Sequence, residues 1–358
     1  MLVNVQWSNP VQCIRSGKVG QKRADSETGD EPMSKCARLI ECMGDVGLLG
    51  SSPGSPVSPV LLSGSPTHQG PSRIDQFLLL HNADRDRMHS ALNIDTGDAM
   101  VCKVFDMGLY QEKIRAYRIL PVHRNISRIR DIVLGERWAY VFLEKDHGDM
   151  HAFVKSCKRL DEERAAQLFH QVASAVAHCH QHGVVLGDLK LRKFVFSDRK
   201  RTHVKLEGLE DCRVLEGDDD SMSDTHGCPA YVSPEILNGS SSYSGKQADV
   251  WSLGVMLYTI LVGRYPFHDP DPATLFSKIR RGQCCLPEVL SPRAKCLLRS
   301  LLRKEPWDRL TAAEVLIHPW FHTTTANVQE TGVSEQEVDL SEQTVPSCDV
   351  EEKDDLFC

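Results

Sequence analysis

The sequence predicts an α+β fold of two packed lobes, a small β-rich lobe first and a larger helical lobe after it, with disordered tails at both ends. Three observations support this prediction. Short apolar runs separated by turn signals open a central region, and from Asp161 onward apolar residues recur at helical spacing. The segments on either side of this region have little periodic apolar pattern. Strands followed by helices are typical of a chain that folds as two packed lobes.

Composition excludes several classes of protein. The chain has 358 residues, of which 41% are apolar and 25% are charged, as in an ordinary globular protein. The net charge of −7 gives no global basic signal, so we expect no nucleic-acid partner. The longest strongly apolar run, 250–263, is shorter than the roughly 20 residues that a membrane span needs, so no membrane association is predicted.

Cysteine usage bears on localisation. The 13 cysteines include no Cys-x-x-Cys pair, which disfavours a disulfide framework and a structural zinc site. A reducing compartment therefore fits best. A sparse basic cluster, Lys22-Arg23 with Lys35 and Arg38, is compatible with nuclear import. We expect the protein in the nucleus and the cytoplasm.

Three regions are predicted along the chain. Residues 1–72 form a Ser/Pro/Gly-rich region, in which 18 of the 29 residues from 44 to 72 are Gly, Ser or Pro, too poor in side chains to form a core. Residues 73–322 form the folded domain. Residues 323–358 form a tail with ten acidic residues and one basic residue. The net negative charge of the chain therefore belongs to this short segment.

The secondary structure of the domain follows from its apolar pattern. Strands are predicted at four apolar runs, 77–80, 100–105, 132–134 and 140–143. Asp161 is a preferred N-cap residue with acidic residues after it, so a helix is predicted to begin there, with its apolar residues on one face. A second helix, at about 248–261, is apolar nearly all round, which predicts a place at the centre of the helical lobe.

Five short motifs, in order, resemble those of the protein-kinase fold. They correspond to the strand lysine that holds nucleotide phosphates, the catalytic loop, the end of the activation segment, the central helix and the end of the domain. The motifs are Val101-Cys102-Lys103, Leu186-Gly187-Asp188-Leu189-Lys190, Ser233-Pro234-Glu235, Asp249-Val250-Trp251-Ser252-Leu253-Gly254, and Asp308-Arg309 with His318-Pro319-Trp320-Phe321. Each motif alone is a weak signal, but the ordered set indicates a bilobal protein-kinase-like fold.

The nucleotide-binding parts of this fold are degenerate. Phosphoryl transfer depends on positioning and charge neutralisation, so each part can be checked separately. The glycine-rich loop is expected between Phe77 and Ala99, but the candidate segment 80–90 contains no glycine. Its backbone therefore cannot approach phosphates closely, and Asp84 and Asp86 repel them. The sequence predicts weak or absent ATP binding, through Lys103 alone.

Both metal-binding positions are degenerate as well. The catalytic loop keeps Asp188, a possible proton acceptor, and Lys190, but Lys193 stands where a metal-binding asparagine is expected. An ammonium group at that position repels Mg²⁺. The Asp-Phe-Gly motif maps onto Gly208-Leu209-Glu210, and Gly208 has no side chain to ligate a metal. We therefore expect no Mg²⁺ and no other cofactor.

Three carboxylates near these positions are open to more than one interpretation. Glu207 and Glu210 flank Gly208 and are either substitute metal ligands or, with more weight, solvated or salt-bridged carboxylates. Glu112 is the one candidate partner for Lys103, but its spacing is wrong. Lys103 is therefore expected to have no partner or a non-standard one.

The residues that stabilise a kinase fold are present more completely than the residues that bind nucleotide and metal. Glu235 and Arg309 are predicted to form a buried ion pair, because a lone buried partner would cost about 3–5 kcal/mol. Asp249 is predicted to accept hydrogen bonds from the catalytic-loop backbone. His178 and His182 share a helix face, but no carboxylate lies at a suitable offset, so no metal site is predicted there. A kinase fold that retains its structural residues but lacks its metal-binding residues and glycine-rich loop is predicted to be a pseudokinase.

Three segments narrow the resemblance to one family. Residues 186–196, 208–211 and 227–235 closely resemble the Tribbles pseudokinases, and the similarity extends over about 71–321 and into the tail. The resemblance implies an adaptor that recruits a constitutive-photomorphogenic-type E3 ubiquitin ligase through a tail motif of the form Asp-Gln-x-Val-Pro-Glu. The matching residues here are Glu342, Gln343, Val345 and Pro346, and Ser347 departs from the acidic residue of the family.

The resemblance also implies partners. Family members present CCAAT/enhancer-binding transcription factors to the ligase, bind MAP kinase kinases and inhibit protein kinase B. The MAP kinase kinase motif corresponds to Ile317-His318-Pro319-Trp320-Phe321, although His-Pro-Trp also ends many ordinary kinase domains. Under the adaptor interpretation, Lys103, Asp188 and Lys190 are vestigial. Two alternatives stay open: a weak metal-independent nucleotide binder or kinase that uses Lys103 and Asp188, and a decoy that binds kinases without directing degradation.

Overall fold

The computed structural model describes residues 71–80, 87–224, 227–239 and 241–325. The remaining residues, which include 81–86 of the segment expected to hold the glycine-rich loop and the tail motif at 342–346, lie outside this description. The described residues form the two lobes that the sequence predicts, the first rich in strands and the second helical. Within them, no helix combines the length and the apolar character needed to cross a membrane.

One antiparallel sheet forms the first lobe. Its strands are β1 (Ser72–Ile74), β2 (Phe77–Leu80), β3 (Met88–Asn93), β4 (Ala99–Asp106), β5 (Ile129–Leu134) and β6 (Trp138–Glu144). They pair in the order β1-β2-β3-β4-β6-β5. The four predicted runs are confirmed as strands. The strands β1 and β3 were not predicted, because they contain no continuous apolar run and are defined by pairing with their neighbours.

The two faces of this sheet have different roles. One face packs a small apolar core, formed by Phe77, Leu79, Ala91, Cys102 and Phe142. Because side chains alternate along a strand, Lys103 points to the opposite face from Cys102. That face is turned toward the second lobe, so the strand directs the lysine into the space between the lobes.

The segment between β4 and β5 carries two short helices instead of one long helix. These are α1 (Tyr110–Lys113) and α2 (Arg115–Ile119), and the helical hydrogen bonding ends before Pro121. A proline lacks the N–H that a further helical turn would need. The early end of α2 limits which side chains can face Lys103.

Helices dominate the second lobe. They are α3 (Met150–Cys157), α4 (Glu162–Gln181), α5 (Pro234–Leu237), α6 (Gly245–Val262), α7 (Pro272–Arg281), α8 (Pro292–Leu301), α9 (Ala312–Leu316) and α10 (Trp320–Thr325), with 3₁₀ turns at Leu191–Lys193 and Pro306–Asp308. Three antiparallel pairs complete it: β7 (Val184–Val185) with β10 (Arg213–Val214), β8 (Phe194–Phe196) with β9 (Val204–Leu206), and β11 (Ser221–Met222) with β12 (Tyr243–Ser244).

Both predicted helices of this lobe are confirmed. The carboxylate of Asp161 accepts the N–H of Arg164 at 2.8 Å and so caps α4. Helix α6 is buried along almost its whole length and forms the centre of the lobe. It ends at Gly263, where φ is +83° and a Cβ would lie only 2.0 Å from the Lys158 oxygen. Only glycine fits there, since both the backbone conformation and the space exclude a side chain.

A buried ion pair holds the activation segment against this lobe. The Arg309 guanidinium, whose side chain is 0% exposed, donates to both oxygens of Glu235 at 2.7 Å. The same group also donates to the backbone oxygens of Arg303, Lys304 and Gln247. The pair therefore joins α5, the start of α6 and the segment that precedes α9.

Candidate functional site

Lys103 has two acidic partners at the junction of the lobes. Its Nζ lies 2.9 Å from Glu210 Oε1 and 3.2 Å from Glu207 Oε1. All three side chains are at least 85% buried. Glu112, the one candidate on the preceding helices, is exposed on α1 instead. The lysine thus has a non-standard partner, and Glu207 and Glu210 are salt-bridged carboxylates.

Burial and charge compete at this cluster. Burial alone favours the neutral amine, but the charges of Glu207 and Glu210 outweigh it and raise the pKa of Lys103. Burial also raises the pKa of Glu207, and the attraction of Lys103 offsets this only in part. One cation faces two carboxyl groups, so the cluster is negative when all three are ionised. A further anion, such as a phosphate, is repelled by it.

Tyr117 on α2 completes the cluster, and sequence reasoning did not find it. Its hydroxyl donates to Glu210 Oε1 at 3.1 Å and accepts the N–H groups of Gly208 and Leu209 at 3.2 Å. The tyrosine therefore fixes both the backbone and the acidic side chain of this segment. A single aromatic residue on a short helix gives no sequence signal of this role, because its partners lie far away in the chain.

Gly208 contributes backbone shape and no ligand. Its φ is +79°, and a Cβ there would lie 3.6 Å from both Glu210 Oε2 and Lys193 Cγ. That spacing is an ordinary contact, so the left-handed backbone, and not lack of space, favours glycine. The bend turns the chain so that Glu207 and Glu210 both reach Lys103.

Two lysines surround Asp188 in the catalytic loop. Lys190 Nζ lies 2.7 Å from Asp188 Oδ2, and Lys193 Nζ lies 3.8 Å from the same oxygen. The Lys193 amine is buried and has no hydrogen-bond partner within the described part of the chain. Cations thus hold the carboxylate that would act as a proton acceptor.

A small cavity lies between the catalytic loop and the activation segment, beside Asp188. The activation segment, from Gly227 to Ser233, folds over the catalytic loop and leaves a cavity of about 10 Å³. A cavity of that size holds about one water molecule at most. This cavity is therefore too small for a peptide side chain, whereas the Asp188 side chain itself stays 28% exposed.

Asp249 on α6 and His180 on α4 stabilise the catalytic loop from the helical lobe. Asp249 accepts the N–H groups of Leu186 at 2.8 Å and Gly187 at 2.9 Å. The His180 ring donates to the same carboxylate at 2.9 Å. The sequence predicted the backbone contacts of Asp249 but missed His180, which is the member of the histidine tract on the buried side of α4.

The other two histidines of that tract contact backbone oxygens. His178 Nε2 lies 3.1 Å from the Pro121 oxygen, and His182 Nδ1 lies 2.8 Å from the His178 oxygen. Among the described residues, no group of three or more His, Cys, Asp or Glu side chains is arranged to hold a metal ion.

The predicted kinase-binding segment is divided between core and surface. The Trp320 indole donates to Glu162 Oε2 at 2.9 Å, and Trp320 and Phe321 pack against Phe169. Both aromatic side chains are buried, whereas Ile317 is 73% exposed. The alternative of an ordinary domain end accounts for the two aromatics. Of this segment, Ile317, His318 and Pro319 are accessible to a partner.

Comparisons with known proteins agree with this architecture. Residues 88–321 match the family model described as the protein kinase domain. Tribbles homolog 1 from Homo sapiens is 56% identical over 337 residues, which are 92% of this chain and 89% of the relative. Tribbles homolog 2 from Canis lupus familiaris is 52% identical over 360 residues, 99% of each chain. Tribbles homolog 3 from Mus musculus is 49% identical over 282 residues, 79% of each chain.

Proposed function

Because the chain belongs to the Tribbles family of pseudokinases, within the protein kinase domain family, we propose that it acts as an adaptor and not as a phosphotransferase. It holds a substrate protein on its pseudokinase domain and presents it to an E3 ubiquitin ligase. The observation that carries the proposal is the pairing of Lys103 with Glu207 and Glu210. That pairing leaves the lysine no free charge for nucleotide phosphates.

The rest of the cleft supports a non-catalytic role. Mg²⁺ requires oxygen ligands, but Lys193 places an ammonium at one metal position and Gly208 leaves the other without a side chain. The ion pairs of Asp188 with Lys190 and Lys193 also disfavour its action as a proton acceptor. We therefore propose that ATP binds weakly or not at all, and that no Mg²⁺ is bound.

The acidic tail supplies the link to the ligase in this proposal. Its residues Glu342, Gln343, Val345 and Pro346 match the ligase-binding motif that the family resemblance implies, and Ser347 is a departure from it. Ser347 lacks a negative charge unless it is phosphorylated, which would add a charge of about −1.5 to −2. The ligase is of the constitutive-photomorphogenic type.

The partners that we propose follow the family. They are CCAAT/enhancer-binding transcription factors as substrates, together with MAP kinase kinases and protein kinase B as modulated kinases, in the nucleus and the cytoplasm. For MAP kinase kinases, the accessible residues Ile317, His318 and Pro319 are the contact points within the predicted segment.

Deletion of the tail tests the adaptor function. Removing residues 335–358 is expected to lengthen the half-life of a bound substrate in cells, because the ligase is no longer recruited. The matched control replaces Val345 and Pro346 by alanine in the full chain and is expected to have the same effect. An unchanged half-life in both variants, with kinase inhibition retained, would instead support a decoy.

A thermal-shift titration with ATP, with and without Mg²⁺, tests the alternative of nucleotide binding. We expect little stabilisation in either case, because Glu207 and Glu210 neutralise Lys103. A large stabilisation that Lys103→Ala abolishes would favour a nucleotide binder. Phosphate transfer that Asp188→Asn abolishes would contradict the assignment as a non-enzyme.

A further inference from the structure

A second concave surface lies apart from Lys103 and Asp188. It is a cleft of about 750 Å³ between the start of β4, the segment that leads into β5, the end of β6 and the β8–β9 hairpin. No residue of the Lys103 cluster or of the catalytic loop lines it. We call it the basic cleft, because five cationic side chains line it: Arg124, Arg128, Arg130, Lys145 and Lys205.

Two carboxylates also line the basic cleft, so three positive charges remain in excess. Asp98 is exposed at one side, and Glu144 forms ion pairs with both Arg130 and Lys205. Burial opposes ionisation of Glu144, but the two cations outweigh it and lower its pKa. Glu144 is therefore ionised and fully engaged with these two cations at neutral pH.

The remaining cations are free. Arg124, Arg128 and Lys145 are exposed, and within the described part of the chain their side chains make no ion pair or hydrogen bond. An exposed cation without a partner keeps its full charge for a ligand. Two of the three are arginines, whose planar guanidinium groups pair with carboxylates through two parallel hydrogen bonds.

The segment that carries the two arginines is held firmly. The Asn125 side chain donates to the Val204 oxygen at 2.7 Å, and the Ser127 N–H donates to the Leu206 oxygen at 2.9 Å. His203 Nε2 lies 3.2 Å from the oxygen of Arg124 itself. These bonds fix the backbone from which Arg124 and Arg128 project before any ligand arrives, so the backbone loses little entropy on binding.

A basic turn extends the same surface. The β8–β9 hairpin turns through Arg199, Lys200 and Arg201, all exposed, and Ser197 and His203 on either side of the turn line the cleft. Positive charge therefore continues from the floor of the cleft onto its rim. This strip is local, because the chain as a whole is acidic.

We propose that the basic cleft binds an acidic, Asp/Glu-rich segment of a partner protein. The excess positive charge and the free arginines favour carboxylates, and the concave shape admits a single extended chain more readily than a flat membrane or a duplex. The choice of a partner's segment rests on the proposed adaptor function, in which a ligase holds this chain's own acidic tail. The cleft then serves as a second contact for the substrate or kinase.

Fluorescence anisotropy with a labelled polyglutamate peptide and the full chain tests the proposal. We expect saturable binding that Arg124→Glu with Arg128→Glu weakens about tenfold or more, and that Arg124→Gln with Arg128→Gln weakens less. The matched control, Arg281→Glu with Lys304→Glu, makes the same change of charge outside the cleft and is expected to retain the affinity. Salt at about 1 M, where the Debye length is about 3 Å, is expected to abolish binding. Unchanged melting temperatures exclude misfolding.

Three outcomes would overturn the proposal. Equal loss of affinity in the cleft and control variants would mean that only overall charge matters. Tighter binding of an oligothymidine probe, with the same dependence on Arg124 and Arg128, would assign the cleft to nucleic acid. Peptide binding that appears only after removal of residues 326–358 would mean that the chain's own tail fills the cleft. No ligase is present in this assay, so its failure leaves the tail-deletion test of the adaptor function unaffected.

Discussion

The Glu235–Arg309 pair and the Lys103 cluster are both buried ionic arrangements, but they differ in the numbers of positive and negative groups that they contain. Arg309 meets one carboxylate through two bonds of 2.7 Å, and backbone oxygens accept its other N–H groups. Lys103 meets two carboxyl groups, one of which has a raised pKa. Nearby, the buried amine of Lys193 has no hydrogen bond within the described residues.

This difference separates what the fold needs from what phosphoryl transfer needs. A balanced buried pair stabilises the lobe, and loss of either partner leaves a charge without compensation. The space between the lobes, by contrast, contains positive and negative groups that do not balance. It would suit a nucleotide and metals only if Lys103 lost its acidic partners and metal ligands were added. The domain thus keeps the contacts that stabilise its fold, while Lys103 and Asp188 are each paired with neighbouring charged side chains.

The largest expected effect comes from breaking the balanced pair. Arg309→Ala is expected to lower the free energy of unfolding by about 3–5 kcal/mol, or to prevent folding, because Glu235 then stays buried and unpaired. Urea denaturation measures the change, with Arg281→Ala on the exposed end of α7 as the control. Arg309→Lys retains one charge and is expected to fold with an intermediate loss. A loss below about 1 kcal/mol in Arg309→Ala would contradict the distinction between the two regions.

A smaller effect is expected at the Lys103 cluster. Tyr117→Phe removes the hydroxyl that bonds Glu210 and the N–H groups of Gly208 and Leu209. We expect a loss of about 1–3 kcal/mol, since one buried acceptor and two donors lose a partner. Faster hydrogen exchange at Gly208 and Leu209 is the specific readout. Unchanged exchange at these two amides would show that Tyr117 does not hold the segment.

The smallest effect concerns pH. Glu207 has a folded pKa above its ordinary value of 4.5, chiefly because of burial. The folded state then binds more protons than the unfolded state, so this contribution is complete below that value and is lost as pH rises through the folded pKa. Glu207→Gln is expected to remove this loss, so the variant gains stability relative to the parent as the pH rises above about 4.5. Parallel pH profiles of the two proteins would contradict the raised pKa.

Local patterns were enough to predict the main elements of the fold. The runs at 77–80 and 140–143 lie within strands because continuous apolar segments bounded by turns form strands in most contexts. The capped helix after Asp161 and the apolar helix α6 followed from cap chemistry and composition. The strand β3 was missed because pairing with β2 and β4, and not its own side chains, makes it a strand.

The missing groups of the candidate site and the backbone contacts of Asp249 were predictable from the sequence, but most side-chain contacts of the site were not. The identities of Lys193 and Gly208 follow directly from the motifs around them. Tyr117 and His180 carry no such motif, because their roles depend on partners that only folding brings near. The partner of Lys103 was sought on the helices that follow β4, whereas the structure supplies it from the segment after β9.

The sequence alone determined which chemical groups are present, because the missing glycines, the ammonium at position 193 and the absent side chain at 208 are properties of the residues themselves. The tertiary structure decided what the remaining groups do. Lys103 and Glu210 are 107 residues apart in the chain, and their contact arises from the way the two lobes pack. The same packing brings Arg124 and Arg128 together with Lys205 in the basic cleft. Coulomb energies depend on distance and burial, and both are set by packing.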